Sequence, residues 1–497
     1  MGQLFFTAGM FAFKKKPRCG TIIWRLKVTQ ITVITEEIMI HDNAWTTYGA
    51  EDLQKLEKLC ADYIDFLNNG KTERECAALL VEMAKEKGYR DLAEIIRNDE
   101  KLASGDKVFA VNMDKMVMMV NIGEDIIRDG MNILGAHIDS PRLDIKQNPL
   151  YESEELAYLD THYYGGVKKY QYVTLPLALH GVVIKTDGTK VTINIGEKDD
   201  DPVFIISDIL IHLAAAQMKK DAATAVEGES LDILVGSKPL KGAEKDAVKA
   251  YILDLLKNGY GIEEDDFISA EIEAVPAGKA REAGFDRSMI AGYGHDDRCC
   301  AYPSAAAMFD VKDPKTTSCG LFVDKEEIGS VGATGMQSHF FEDMMREILD
   351  RLGIYSEINL VRCLRNSRML SSDVSAAYDP LYADRFEKKN SAKFGHGLAF
   401  NKFTGARGKS GANDANPEYL GLIRQALDKH GVVYQTSELG KVDAGGGGTI
   451  AYILSLYGMQ VVDCGVPVLS MHAPWETISK SDLYEAYKGY KAFLIEC

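Results

Sequence analysis

Five short runs in this 497-residue chain carry histidines or carboxylates where an open α/β sheet assembles its sites, at the predicted carboxyl ends of strands or in the loops that follow them. They are Gly135-Ala136-His137-Ile138-Asp139-Ser140-Pro141, Gly294-His295-Asp296-Asp297-Arg298, Val323-Asp324-Lys325-Glu326-Glu327-Ile328-Gly329-Ser330, Ser371-Ser372-Asp373 and Leu469-Ser470-Met471-His472-Ala473-Pro474. In chain order they supply His, Asp, Glu, Asp and His. Two imidazoles and three carboxylates suit a pair of borderline-to-hard divalent ions, zinc first, with Co²⁺ or Mn²⁺ as substitutes. Two ions about 3.5–4 Å apart need one bridging carboxylate and polarise a shared water. Glu326, beside a ligand Glu327, is then free to take that water's proton. Asp139 shares a face with His137 if the strand continues, as an orienting group behind a metal ligand would.

Singly, each run has an ordinary reading. His-x-Asp is commonly a satisfied loop pair, paired aspartates beside an arginine form a solvated turn, and four charges in a row make a surface turn. Their combination, each at a strand edge, carries the chemistry. The glycine-rich run Val442-Asp443-Ala444-Gly445-Gly446-Gly447-Gly448-Thr449 is not a phosphate cradle, because no Lys-Ser/Thr pair follows the glycines. No G-x-S-x-G elbow of a serine hydrolase occurs.

The elements that must position these runs are legible from periodicity. Residues 51–69 keep a helical period through Leu53, Leu56, Leu59, Tyr63, Phe66 and Leu67, with Gly70 at the capping position, and residues 72–87 form a second amphipathic helix. Runs 108–111 and 116–120 read as paired strands and 132–136 as a buried strand ending at His137. From Gly294 onward short apolar strands alternate with helices, including strands at 320–323, 357–363 and 460–464. A helix with Asn416 as N-cap and Pro417 in its first turn stops before Gly431. The segment between differs in texture. A hairpin with an Asp187-Gly188 turn, a helix at 244–258 and a strand at 269–275 form a small α+β unit inserted in a larger α/β domain. The expected organisation is residues 39–150 and 286–497 as one discontinuous domain, with 151–285 inserted.

Composition narrows the function. The chain carries 57 basic and 74 acidic side chains for a net charge of −17, which disfavours nucleic acid and anionic membranes as partners. No apolar stretch approaches the 18 or so residues that span a bilayer. Nine cysteines without a CxxC pair read as reduced thiols of a cytoplasmic protein. Residues 1–38 contrast with the rest, with six basic against two acidic side chains. Their lysines follow the apolar part, the reverse of a secretory signal, so they read as a disordered or non-native extension, with Met39 an alternative start.

The order and wording of the five runs resemble the aspartyl aminopeptidase / vacuolar aminopeptidase I family of dinuclear zinc metallopeptidases, from about Asn43 to the C-terminus. The resemblance implies a three-layer α/β catalytic domain interrupted by an α+β dimerisation domain. It implies removal of single N-terminal residues from peptides, two metal ions per subunit, and assembly into a large homo-oligomer, typically a dodecamer. By residue, it implies His137, Asp296, Glu327, Asp373 and His472 as metal ligands, with Asp296 the bridge and Asp297 the second choice. It further implies Glu326 as general base and Asp139 as the group orienting His137. His212, in a segment like the one that enters a neighbouring subunit's site, is expected at the substrate. So are Lys402, beside Asn401 at the position of a pocket lysine for acidic first residues, and Asp443, near the substrate amine. Rival readings are a metal-dependent deacylase of N-acyl amino acids and a non-catalytic shell or cargo-binding homologue.

Overall fold

In a computed structural model, residues 42–497 are described, so the expectation for residues 1–38 lies outside the described residues. Chain order lays down three sheets. Strands β1 (Arg90–Asp91), β2 (Lys107–Asn112), β3 (Met116–Asn121) and β4 (Met131–His137) begin a nine-stranded sheet. The next six belong to a second sheet: β5 (Arg142–Ser153), β6 (Leu156–Tyr164), β7 (Leu177–Ile184), β8 (Lys190–Ile195), β9 (Ile233–Gly236) and β10 (Ala270–Pro276). β11 (Arg281–Ala283) and β12 (Met289–Gly292) open a third, five-stranded sheet, and β13 (Thr317–Val323) and β14 (Arg368–Ser372) return to the first. β15 (Ser375–Ala376) joins the third sheet, and β16 (Leu398–Asn401), β17 (Tyr434–Thr436) and β18 (Gln460–Gly465) finish the first. β19 (Pro467–Leu469) and β20 (Glu476–Ser479) finish the third.

The centre of the nine-stranded sheet, β13-β4-β14-β18, is parallel throughout, with Val323 level with His137 and Ser371 level with Gly135. The carboxyl ends of these strands therefore open on one edge. Alternate side chains of the same strands feed two separate cores. Ile133, Leu321, Met369 and Val461 point to one, and Leu134, Phe322, Leu370 and Val462 to the other. Helices Ala50–Asn69, His295–Asp310 and Lys480–Glu496 cover one face, and Phe340–Arg351 and Glu357–Asn366 the other, giving three layers. Continuous apolar runs with no polar alternation are what a sheet buried on both faces requires.

The six-stranded sheet has its own core of Leu143, Leu159, Leu179, Ile193 and Ile233, among others. All its strands lie between Arg142 and Pro276 and are antiparallel, including the expected hairpin β7–β8. The segment 357–363, expected as a strand, is helical. Ser356 caps it by accepting the Asn359 amide at 3.2 Å, and the buried residues Leu360, Cys363 and Leu364 follow the helical spacing i, i+3, i+4. Asn416 stands at the N-cap position of Pro417–Lys429, but its side chain donates to Gln460 Oε1 at 2.8 Å and does not cap. No helix among the described residues is long and apolar enough to cross a membrane.

Candidate metal centre

The end of β4, the turn after β13, the residue after β14, the start of helix His295–Asp310 and the loop between β19 and β20 converge on one buried cluster. Asp296 lies at its middle. Its Oδ1 stands 3.2 Å from His137 Nε2 and its Oδ2 3.3 Å from His472 Nε2. Asp373 Oδ1 and Glu326 Oε2 are 3.9 and 4.0 Å from His137 Nε2, and Glu327 Oε2 is 3.6 Å from His472 Nε2. His137, Asp296 and Glu327 offer donor atoms within 4.8 Å of one another, as do His137, Glu326 and Asp373. Asp297 is fully buried beside Asp296, and both its oxygens lack a hydrogen-bond partner among the described residues.

Both imidazoles are turned so that Nε2 faces the carboxylates. His137 Nδ1–H donates to the carbonyl of Asp139 at 3.1 Å and faces its Oδ1 at 3.2 Å. His472 Nδ1–H donates to the carbonyl of Gly166 at 3.0 Å. Fixing the proton on Nδ1 leaves the Nε2 lone pair for a metal. Asp139 in turn accepts the amides of Glu326 and Glu327, each at 3.2 Å, and the hydroxyl of Tyr164 at 2.9 Å. The loops are held in costly conformations. Lys325, Ser470 and His472 all have φ above +60°, a region non-glycine residues avoid unless the surroundings enforce it.

Charge in the cluster is out of balance. Burial pushes Glu327 and Asp373 well above the usual carboxylate range, reinforced by Asp296 at the first and Glu326 at the second. Burial, together with Asp139 and Asp296, pushes Glu326 up to about 7 against the opposing pull of His137 and His472. Burial would raise Asp296 too, but His137 and His472 outweigh it and hold its carboxyl low. Burial opposes protonation of His472, yet Asp296 and Glu327 raise it to about 10. Asp296 Oδ1 and Glu327 Oε1 are buried acceptors with no hydrogen bond from the described residues. Excess buried carboxylate, orphaned acceptors and two Nε2 atoms turned towards the carboxylates are the donor set that divalent cations satisfy.

The cluster floors a cavity of about 530 Å³, whose wall includes Asn401, Thr404, Thr449, Tyr452 and Asp463. Three residues expected at the substrate are not brought there within this chain. Lys402 follows Asn401 at the strand end, points outward and pairs with Asp414 Oδ1 at 2.7 Å. Asp443 is exposed in the glycine-rich loop, whose Gly447–Thr449 part lines the cavity instead. His212 lies in an exposed turn among the exposed apolar side chains Ile209, Leu210, Ile211 and Leu213. Two residues that hold the cluster in place were missed in the sequence. Glu476 accepts the amide of His472 at 2.7 Å and that of Asp296 at 3.0 Å, and a lone Glu at the start of a strand gives no signal of this. Tyr164 comes from the other sheet, and only tertiary structure brings it near Asp139.

Histidines and carboxylates gathered at the carboxyl edge of a parallel sheet, on the floor of a cavity, define a metal-dependent hydrolase of the three-layer α/β kind. Comparison with known proteins makes the class specific. The model of the family described as aminopeptidase I zinc metalloprotease (M18) matches residues 66–494, and the chain belongs to that family. It is 57% identical over 455 residues to a protein of Clostridium acetobutylicum named "Probable M18 family aminopeptidase 1", covering 91% of this chain and 98% of that protein. The crystal structure of the M18 aminopeptidase of Thermotoga maritima superposes with a TM-score of 0.88 at 42% identity, covering 92% of this chain and all of that one. The mApe1 dodecamer of S. cerevisiae shares the fold, with a TM-score of 0.70 at 17% identity over 88% of this chain and 97% of that chain. The protein is thus a zinc metalloaminopeptidase, a hydrolase.

Proposed function

We propose that the enzyme removes single N-terminal residues from peptides at a two-metal centre held by His137, Asp296, Glu327, Asp373 and His472. The observation that carries this reading is the placement of the two Asp296 oxygens beside two different imidazoles, Oδ1 at 3.2 Å from His137 Nε2 and Oδ2 at 3.3 Å from His472 Nε2. When bound, two divalent ions, zinc first, supply Lewis-acid activation of the attacking water and of the scissile carbonyl. Asp296 bridges. His137 and Asp373 would hold one ion, and His472 and Glu327 the other. Asp139 holds the Nδ1 proton of His137 and so aims Nε2 at the centre. Glu326, raised to about 7, takes a proton from the attacking water and passes it to the leaving amine nitrogen as the C–N bond breaks.

The three sheets support a further division of labour. The nine- and five-stranded sheets form one discontinuous catalytic domain, and the residues around the six-stranded sheet form the inserted dimerisation unit. Self-association to a dodecamer would cover the exposed apolar run through Leu213 and carry His212 towards a neighbouring subunit's substrate. The eight described cysteines are free thiols, which suits a reducing compartment, the cytoplasm.

The test is Glu326→Gln. Turnover of aminoacyl-arylamides falls by about 10²–10⁴ while bound metal stays near that of the wild type. Chelation abolishes wild-type activity, and N-acyl amino acids are not cleaved. Retained turnover in Glu326→Gln overturns the assignment of the base.

A further inference from the structure

We propose that Tyr164 is a positioning residue of the reaction: from the end of β6, in the six-stranded sheet, its hydroxyl fixes the Asp139 carboxylate that aims His137. The inference rests on the metal-centre reading above. Asp139 is fully buried and its two oxygens are served by four groups. Oδ1 faces His137 Nδ1 and the Glu326 amide, each at 3.2 Å, and Oδ2 faces the Glu327 amide at 3.2 Å and the Tyr164 hydroxyl at 2.9 Å. The Tyr164 contact is the shortest of the four. It is also the one supplied by the second sheet, since the others come from residues flanking β4 and β13 themselves.

The phenol is itself fixed. Arg142, directly opposite Tyr164 on the antiparallel partner strand β5, lays its guanidinium over the ring at 3.9 Å from the centroid. A cation on the ring face withdraws electron density and makes the hydroxyl a better donor. Arg142 cannot swing away. Its Nε lies 2.9 Å from both Asp144 Oδ1 and Glu273 Oε2, and its Nη1 lies 3.4 Å from Glu73 Oε2.

The next two residues extend the same contact. A Cβ at Gly165 would stand 3.3 Å from Glu327 Cβ, and one at Gly166 would stand 3.1 Å from His472 Nδ1. The carbonyl of Gly166 is the acceptor that sets the His472 tautomer. One strand tip of the six-stranded sheet therefore touches Asp139, Glu327 and His472, and Tyr164 is its hydrogen-bonding member.

The experiment compares the full-length wild type with Tyr164→Phe, which keeps the ring and removes only the hydroxyl. Metal-free chains are titrated with Co²⁺ and followed by its visible absorption, and steady-state kinetics are then measured on aminoacyl-arylamides. The expected result is a fall of about 10–100-fold in Co²⁺ affinity and in kcat, with an altered Co²⁺ spectrum and KM within about twofold. The metal-free melting temperature should stay within about 4 °C. Adding Tyr164→Phe to Asp139→Asn should cost nothing further, because the hydroxyl acts through that carboxylate. Wild-type affinity and kcat in Tyr164→Phe, or a loss that adds fully to that of Asp139→Asn, overturns the role of Tyr164 alone. A wild-type chain that binds no Co²⁺ overturns the metal-centre reading and this inference with it.

Discussion

The backbone amide of Asp296 donates at 3.0 Å to Glu476 Oε2, a carboxylate oxygen on β20 far along the chain. The other oxygen of Glu476 accepts the amide of His472 at 2.7 Å, so a single buried side chain holds the backbones of two residues on either side of the cluster. The central carboxylate and one imidazole are thereby locked to a common strut.

Replacing Glu476 by Gln leaves one acceptor for two amide donors. One amide then faces an NH₂ group, a mismatch costing about 1–3 kcal/mol for a buried polar group. The expected outcome is a lower melting temperature together with a metal affinity reduced about 10–100-fold, read by calorimetry and equilibrium metal titration. Unchanged metal binding would show that Glu476 supports the fold without tuning the centre.

Asp296 and Asp297 are neighbours with different surroundings. Asp296 reaches both imidazoles, whereas burial keeps the Asp297 carboxyl well above the usual carboxylate range. Asp296→Asn should lose most of the bound metal, and the near-isosteric Asp297→Asn should keep it. Elemental analysis of the two purified variants decides, and the reverse ranking would move the bridge to Asp297.

The cavity wall contains no Lys or Arg among the described residues, and it contains Asp463, whose Oδ2 has no hydrogen-bond partner there. An acidic first side chain would meet Asp463 with no Lys or Arg among the described wall residues to compensate it. Neutral first residues such as Leu and Met should be cleaved at least about 10-fold faster than Asp or Glu, as kcat/KM across an arylamide panel would report. Lys402→Ala should leave that ranking intact, because Lys402 pairs with Asp414 outside the cavity. A loss of Asp or Glu cleavage specific to this variant would restore Lys402 to the pocket.

Away from the metal centre, His180 lies between two carboxylates, with Nδ1 2.8 Å from Glu75 and Nε2 3.1 Å from Glu197. Burial alone would lower its basicity, but hydrogen bonds to Glu197 and Glu75 outweigh it and raise it above 6.5. The folded chain therefore binds a proton that the unfolded chain releases between 6.5 and the raised value. The stability from this contact is full below pH 6.5 and is lost as the pH rises through the folded value. Thermal unfolding of wild type and His180→Gln should differ most in mildly acidic buffer and converge in alkaline buffer. A gap that widens with pH would reverse the sign of the argument.

Much of the ligand set was legible because His137, Glu327 and Asp373 sit at or just after the carboxyl end of a strand, whereas Asp296 opens a helix and His472 lies in a loop. His137, Glu326, Glu327 and Asp373 follow β4, β13 and β14 within a few residues, and parallel strands in register bring such ends together. The run 357–363 misled because Ile358 and Val361 are β-formers, while the spacing of Leu360, Cys363 and Leu364 served a helix face. Lys402 was expected at the substrate, beside Asn401 at the position of the pocket lysine, yet consecutive residues leaving a strand point to opposite sides, so Asn401 lines the cavity and Lys402 faces solvent.

The sequence by itself determined the chemistry: which residue types are present, the strand ends that carry them, the reducing thiols and the family. Tertiary structure alone decided the geometry. It set both oxygens of Asp296 between two imidazoles, and it brought Glu476 from β20 and Tyr164 from a different sheet to hold them. The reason is physical. A ligand announces itself locally, through side-chain type and its place on a strand, whereas the groups that aim a ligand need only be near in space, and no local pattern records that distance.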